Sequence, residues 1–304
     1  MSENTTIHDL PVEEMVYPGN RACAGCGLSI VYRTGLKALG QDTVLTVPPS
    51  CLTVLQGLHP IASTRLPCLN VTFASTAASA TGISAALRAL GKSDTTVAAW
   101  AGDGGTSDIG LQALSGACER GENLIFFCYD NEAYMNTGVQ RSGTTPQKVL
   151  TTTTPILGKK QKNKDMPAIM QAHGISYIAT ASAAYPLDLY DKVLKAKSIT
   201  GPKYIHVHTP CPAGWGFSPA NTVKVGRMAV ETGMFDLYEI EESNWRLTGK
   251  SRKMLGKELR PVEEYLGLQA RFKSLSREQV QEVQNEIDSK WSGYRRLKDN
   301  PDGI

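Results

Sequence analysis

Hydrophobic and polar positions switch between two periods along most of this chain. Short runs rich in β-branched, aromatic or small apolar residues lie at 44–47, 95–100, 124–129, 176–180 and Lys203–His208. Each is bounded by Gly, Pro, Asp or Asn, and each predicts a strand. Between them the spacing turns helical: Leu28, Val31, Leu36 and Leu39; then Ile109, Leu111, Leu114 and Ala117; then Leu187, Tyr190, Val193 and Leu194. A small-residue helix is predicted over 75–90 and a further helix over 165–173. Strands alternating with helices predict an α/β fold, a doubly wound, mostly parallel sheet. Past Asn221 the texture changes. Residues 223–232 predict a short helix, and 235–240 alternate like an edge strand. Residues 245–302 are charged and mostly helical, with 277–297 the clearest helix. The expected organisation is an N-terminal arm (1–19), an α/β domain (20–220) and a C-terminal extension (221–304) that packs on the core or on a partner subunit. No internal repeat is visible.

Two strand ends carry candidate chemistry. The 95–100 run ends in Gly102-Asp103-Gly104-Gly105, and the 124–129 run ends in Asp130-Asn131. In a parallel sheet these ends lie side by side. Glycines let the backbone come close to a ligand. Asp103 and the Asn131 amide oxygen are hard ligands suited to Mg²⁺, and N–H groups near 105–108, at the start of the next helix, suit a phosphate. An ordinary βαβ turn using Gly-Asp-Gly for geometry alone is the competing reading.

The cysteines change the picture further. The chain has 304 residues, 41% hydrophobic and 20% charged, with net charge +3 and seven cysteines. That charge is too slight to argue for nucleic acid. No apolar run approaches membrane-span length, and the first 14 residues are polar and acidic, unlike a signal or an anchor. Seven cysteines without an export signal point to a reducing compartment, the cytoplasm. Cys23-Ala24-Gly25-Cys26 precedes a helix and lets two thiolates converge. A thioredoxin-like redox pair, half of a zinc site, and part of an iron–sulfur site completed by distant cysteines all compete for it. Cys51 and Cys211 each follow a predicted strand, and prolines flank Cys211. Both suit the third reading; both also suit buried thiols. Cys68, Cys118 and Cys128 read as buried packing.

Other polar groups are less specific. Asn136, in the loop after Asn131, can reach a substrate carbonyl or cap a local turn. The 144–164 loop is long, without period, and its Lys159, Lys160, Lys162 and Lys164 are expected to be solvated. His206 and His208 share a strand face and are expected to be hydrogen-bonded in a core or interface rather than to bind metal.

Taken together, RACAGCG, AGDGGTSDIGLQALSGACERG, CYDNEAYMNTG, QRSG, KDMPAI, HVHTPCPAGWGF and PVEEYL resemble the beta subunit of 2-oxoacid:ferredoxin oxidoreductases, most closely the pyruvate-type branch. The resemblance runs from about residue 15 to about residue 290. It implies a thiamine diphosphate-binding fold in which Asp103, Asn131 and the Ala133 carbonyl hold Mg²⁺, and Gly102, Gly104 and Gly105 form the diphosphate loop. It implies one 4Fe–4S cluster on Cys23, Cys26, Cys51 and Cys211, and places Asn136 in the active-site loop. It further implies oxidative decarboxylation of a short 2-oxoacid, with electrons leaving singly through the cluster to ferredoxin. Partner subunits would supply the second α/β domain and the catalytic glutamate, and coenzyme A is a candidate co-substrate. Two segments depart from the family pattern: Pro49-Ser50 before the third cysteine, and Phe73-Ala74-Ser75. Both border the cofactor cavity in the family, so the substrate stays open: pyruvate by default, with oxalate or a branched-chain 2-oxoacid as alternatives. A thiamine-dependent enzyme without a cluster, and an electron-transfer subunit with a vestigial thiamine site, are the readings outside this one.

Overall fold

The computed structural model describes residues 5–299. Its centre is one eight-stranded sheet. The strands are β1 (Thr43–Val47), β2 (Cys68–Asn70), β3 (Thr96–Gly102), β4 (Ile125–Asp130), β5 (Tyr177–Ser182), β6 (Lys203–His208), β7 (Tyr238–Glu241) and β8 (Asn244–Leu247). They lie in the order β2-β1-β3-β4-β6-β5-β7-β8. The first six in that row are parallel, and β7 and β8 join antiparallel.

The helices divide by face. Before β1 runs α1 (Gly27–Leu39); α2 (Cys51–Gln56) follows β1 at once. Then come α3 (Thr76–Ala89), α4 (Leu111–Glu119), α5 (Met166–Ala172) and α6 (Pro186–Ser198). One sheet face presents Ala98, Trp100, Ile125, Phe127, Ile205 and Val207 to α1 and α6. The other presents Val97, Ala99, Ala101, Phe126 and Cys128 to α3, α4 and α5. Period-two alternation along β3 and β4 therefore buries both faces, which is why these strands read as continuous apolar runs. The small residues Ala77 and Ala80 let α3 lie close on the equally small face of β3. Across the sheet, Trp100 stacks on Phe127 with ring centroids 4.0 Å apart. A Cβ on Gly35 of α1 would come within 2.7 Å of the Trp100 ring, so that glycine admits the indole.

Beyond β6 lie α7 (Pro212–Trp215), α8 (Thr222–Glu231), α9 (Gly249–Met254), α10 (Val262–Leu266) and α11 (Arg277–Asp299). They share a third apolar cluster built on Trp215, Val225, Leu237, Tyr265 and Trp291. The strand expected at 235–240 begins three residues later and is not an edge, because β8 folds back beside it through a turn at Glu242 and Ser243. The last expected residues of the extension lie outside the described range. At the other end, residues 5–19 lie on their own chain: Met15 is buried in the core, and Glu13 and Glu14 pair with Arg65, Arg33 and Lys37.

The topology positions a crevice. From β1 the chain turns one way to β2 and then crosses to the other side for β3 and β4. Such a reversal leaves the carboxyl ends of β1 and β3 uncovered, the usual place for a ligand in an open α/β sheet.

Candidate active site

Four adjacent parallel strands, β1, β3, β4 and β6, end along this rim, and each is followed by a predicted site residue: Cys51, Asp103, Asn131 and Cys211 in that order. Cys51, Gly102, Asp103, Gly104, Gly105, Asn131, Ala133 and Asn136 line one cavity of about 210 Å³, with Pro49, Ser50 and Phe73 also in its wall. The two segments that depart from the family pattern thus face the same space as the glycine loop.

After Asp103 the chain enters a π-helical turn, Gly104–Asp108, before α4. The turn is tight against its neighbours. A Cβ on Gly104 would lie 2.4 Å from the Tyr134 ring. Tyr134 in turn donates to Asp108 at 2.9 Å, and the Gly143 N–H donates to the same carboxylate oxygen at 2.9 Å. The glycine loop is therefore held from outside by the 134–143 segment.

Asp103 is buried, and its two oxygens have separate environments. Oδ2 accepts from Ser142 Oγ and from Thr144 Oγ1, the latter at 3.2 Å. Oδ1 faces the Asn131 carboxamide. One terminal atom of that carboxamide sits 3.1 Å from Asp103 Oδ1 and 2.9 Å from the Ala133 carbonyl oxygen. With the amide nitrogen inward, it donates to both. With the amide oxygen inward, three oxygens converge, a donor set that suits a hard divalent cation. Burial first, and the nearby Asp130 second, hold the Asp103 carboxyl well above the usual carboxylate range. That environment is the one a bound cation would relieve.

Asp130 behaves oppositely. Burial pushes its carboxyl up, but the hydrogen bond and charge of His206 more than reverse this. His206 Nε2 lies 2.9 Å from Asp130 Oδ2, and Tyr204 OH lies 2.9 Å from His206 Nδ1. His206 thus has the hydrogen-bonded core role expected of it. His208 is buried between Phe235 and Trp215, its ring nitrogens have no hydrogen-bond partner among the described residues, and burial pushes it down to about 3. Both histidines border a second cavity of about 600 Å³ between the 144–165 loop and α11.

The Ala133 carbonyl is aimed by a residue the sequence reading missed. Glu132 adopts a left-handed backbone (φ 66°), and its side chain pairs with Arg271. The Arg271 guanidinium lies 3.7 Å over the Trp215 ring, and Trp215 Nε1 donates to the Asn131 carbonyl at 2.8 Å. No short-range signal links Glu132 to Arg271.

The cysteine sites assemble by close backbone contact. The Gly27 N–H donates to the Pro210 carbonyl at 3.3 Å, and a Cβ on Gly25 would lie 2.4 Å from the Pro219 carbonyl oxygen. The Cys-x-x-Cys turn is thereby pressed onto the segment that carries Cys211. The Gly214 N–H donates to Cys211 Sγ at 3.4 Å. All seven cysteines are free thiols. Burial pushes the Cys51 thiol up to about 12, and Cys211, Cys26 and Cys23 add to the rise in that order. Among the described residues, no three His, Cys, Asp or Glu side chains converge tightly enough to hold a single ion. Of the other cysteines, Cys118 and Cys128 are buried in packing as expected, and Cys68 is half-buried beside Gln56.

The lysine expectation needs correction. Lys159 is not solvated: it is 1% exposed, and its ammonium donates to the Gly143 and Thr145 carbonyls at 2.9 and 2.7 Å. Lys164 reaches the Ser107 carbonyl and Asp108. The loop needs cations inside because it turns its carbonyls inward, leaving its hydroxyls to face Asp103. Lys160 and Lys162 are exposed as expected.

A prediction follows for Lys159. Burial pushes its pKa down to about 8, from 10.5 for a free lysine. Between those values the unfolded chain holds this proton more often than the folded one, so this group makes stability rise from pH 8 to 10.5. Lys159→Met should remove that rise in a series of thermal melts.

The family model for the C-terminal TPP-binding domain of thiamine pyrophosphate enzymes matches residues 54–207. The pyruvate synthase subunit PorB of Methanothermobacter thermautotrophicus is 51% identical over 284 residues, covering 92% of this chain and 97% of that protein. The ketoisovalerate oxidoreductase subunit VorB of Pyrococcus abyssi is 42% identical over 298 residues, covering 95% and 94%. The solved 2-oxoglutarate:ferredoxin oxidoreductase of Magnetococcus marinus, with 2-oxoglutarate, coenzyme A and succinyl-CoA bound, shares the fold at TM-score 0.58 and 21% identity, covering 67% of this chain and 70% of that one. With both the family model and full-length relatives matching, this chain belongs to the thiamine pyrophosphate-binding beta subunits of the 2-oxoacid:ferredoxin oxidoreductases.

Proposed function

We propose that this subunit holds the diphosphate end of thiamine diphosphate and one 4Fe–4S cluster, in an enzyme that oxidatively decarboxylates pyruvate and passes electrons to ferredoxin. The observation that carries this reading is the shared wall: Cys51 and Asp103 line one cavity at the switch between β1 and β3. Asp103 Oδ1, the Asn131 amide oxygen and the Ala133 carbonyl would hold Mg²⁺. Gly102, Gly104 and Gly105 leave the backbone room for the diphosphate, and a side chain at Gly104 would collide with Tyr134. Cys23, Cys26, Cys51 and Cys211 would ligate the cluster. Exposed Asn136, on the cavity rim, would orient the substrate carbonyl. When bound, thiamine diphosphate supplies an electron sink for loss of CO₂, and the cluster accepts electrons one at a time.

The cavity lacks one group that this chemistry needs. Among the described residues no glutamate lines it. That supports a glutamate from another subunit, facing the aminopyrimidine ring. A cytoplasmic setting fits the free thiols, and no helix among the described residues is long and apolar enough to cross a membrane.

The substrate is the finer part of the proposal. Pyruvate follows the PorB relative; a branched-chain 2-oxoacid is the second reading, supported by the VorB relative's 42% identity along nearly the whole chain. The test is a panel of pyruvate, oxalate and a branched-chain 2-oxoacid, with and without coenzyme A, following ferredoxin or viologen reduction. The isolated subunit should show no turnover, and adding the partner subunits should restore it with pyruvate preferred. Turnover by the subunit alone would refute the shared site. Preference for the branched-chain acid would move the assignment to the second reading.

A further inference from the structure

A single turn separates the two cavities. Asn131 and Ala133 line the cavity of the glycine loop, whereas Asp130, Glu132 and Thr144 line the cavity of about 600 Å³ behind it. The turn is thus a thin partition with open space on both sides, not a segment packed against a core. Its middle residue, Glu132, holds a left-handed backbone (φ 66°), which a residue with a Cβ adopts only at a cost. Left to itself such a turn would relax, and the space behind Glu132 would let it.

What opposes this comes from the far end of the chain. Arg271 lies in a short 3-10 turn of the C-terminal extension, Ala270–Phe272. It is 5% exposed and pairs with the Glu132 carboxylate. Arg271 Nε donates to Gln269 Oε1 at 2.9 Å, and the guanidinium lies 3.7 Å over the Trp215 ring, so the cation is itself held in place. Trp215 is fully buried, and its Nε1 donates to the Asn131 carbonyl at 2.8 Å. On the core side, the Glu132 N–H donates to Asp130 Oδ1 at 2.8 Å, and the Glu132 carbonyl accepts from Thr145. Consecutive residues of the partition are thereby gripped from the C-terminal side, Asn131 by its backbone and Glu132 by its side chain.

We propose that Arg271 is a positioning residue of the coenzyme site: with Trp215 it pins Glu132 in its left-handed conformation, and so keeps the Ala133 carbonyl turned toward the Asn131 carboxamide and Asp103. The C-terminal extension is then a built part of this site, beyond its role in packing. The proposal rests on the reading above only in taking that oxygen set as the place where Mg²⁺ and thiamine diphosphate bind. A buried ion pair adds little net stability, so what Arg271 and Glu132 contribute here is geometry.

The experiment titrates the assembled enzyme with thiamine diphosphate at fixed Mg²⁺ in a calorimeter. Arg271→Met keeps an apolar body over Trp215 and leaves Glu132 without its partner. Affinity should fall about tenfold, as for other partners one step removed from a metal ligand. Two double variants then separate charge from backbone. Glu132→Gly and Glu132→Ala, each combined with Arg271→Met, both remove the ion pair altogether. Glycine adopts the left-handed conformation freely and alanine does not. The glycine double should therefore bind within about threefold of the parent, and the alanine double about fivefold more weakly than the glycine one. An ion pair that served stability alone would leave the two doubles equal in affinity, and that result overturns the proposal. So does parent-like affinity in Arg271→Met. If Arg271→Met fails to fold, the doubles decide, because neither buries an unpaired charge at this pair. A parent enzyme that binds no thiamine diphosphate with Mg²⁺ present would instead overturn the cofactor reading itself.

Discussion

Replacing Asp103 with alanine is expected to abolish Mg²⁺-dependent retention of thiamine diphosphate while leaving iron and sulfide unchanged. Asp103 Oδ1 is the only anionic oxygen of the proposed Mg²⁺ set; the other two come from a carboxamide and a backbone carbonyl. Without it two neutral dipoles would remain against a divalent ion and a diphosphate. Affinity should fall by more than about a hundredfold, beyond what loss of an outer partner usually does. The proposed cluster should persist because the Cys-x-x-Cys turn is held by Pro210, Pro219 and Thr222, none of which touches Asp103. Calorimetric titration with Mg²⁺ and thiamine diphosphate, beside iron and sulfide assays, checks both halves. A variant that still binds the coenzyme tightly would remove Asp103 from the metal set. The near-isosteric Asp103→Asn should bind as poorly, yet melt no lower than the parent without cofactors. Its burial and the repulsion from Asp130 both work against the native carboxylate, and the amide escapes both.

Cys51→Ala should give the reverse pattern. Iron and sulfide should drop and viologen reduction should stop, while thiamine diphosphate is retained. Cys51 opens α2 directly after β1, and its thiol feels Cys211, Cys26 and Cys23. Removing one of the four proposed ligands would leave an iron open to solvent and the cluster labile. The control is Cys118→Ala. Cys118 lies in α4 on the opposite sheet face, its sulfur 3.9 Å from that of Met170, so its loss should affect stability and not iron. Equal iron loss in both variants would remove the special position assigned to Cys51.

Much of this site was legible before folding. Gly-Asp-Gly after an apolar run, and Asp-Asn after the next, are local statements about where strands stop, and β3 and β4 stop there within two residues. A parallel pair then brings the two ends together without further information. Cys51 and Cys211 were legible for the same reason, each lying just past a strand. The buried lysine was not. Four lysines in an aperiodic loop carry no local mark of which one turns inward, and Lys159 is selected by carbonyls 14 and 16 residues away.

Taken alone, the chain's order of residues determined the element types, the alternation that buries both sheet faces, and the chemical kinds of group at each strand end. These depend on neighbours within a few positions, where periodicity and turn chemistry act directly. Only the tertiary structure decided the strand order that puts Cys51 next to Asp103, the Ser142 and Thr144 clamp on one oxygen of that aspartate, and the Arg271–Glu132 pair that helps set the Ala133 carbonyl. Those are matters of satisfying buried polar atoms across long sequence separations. Such atoms are desolvated only once the whole sheet has assembled, so no short stretch of residues encodes their partners.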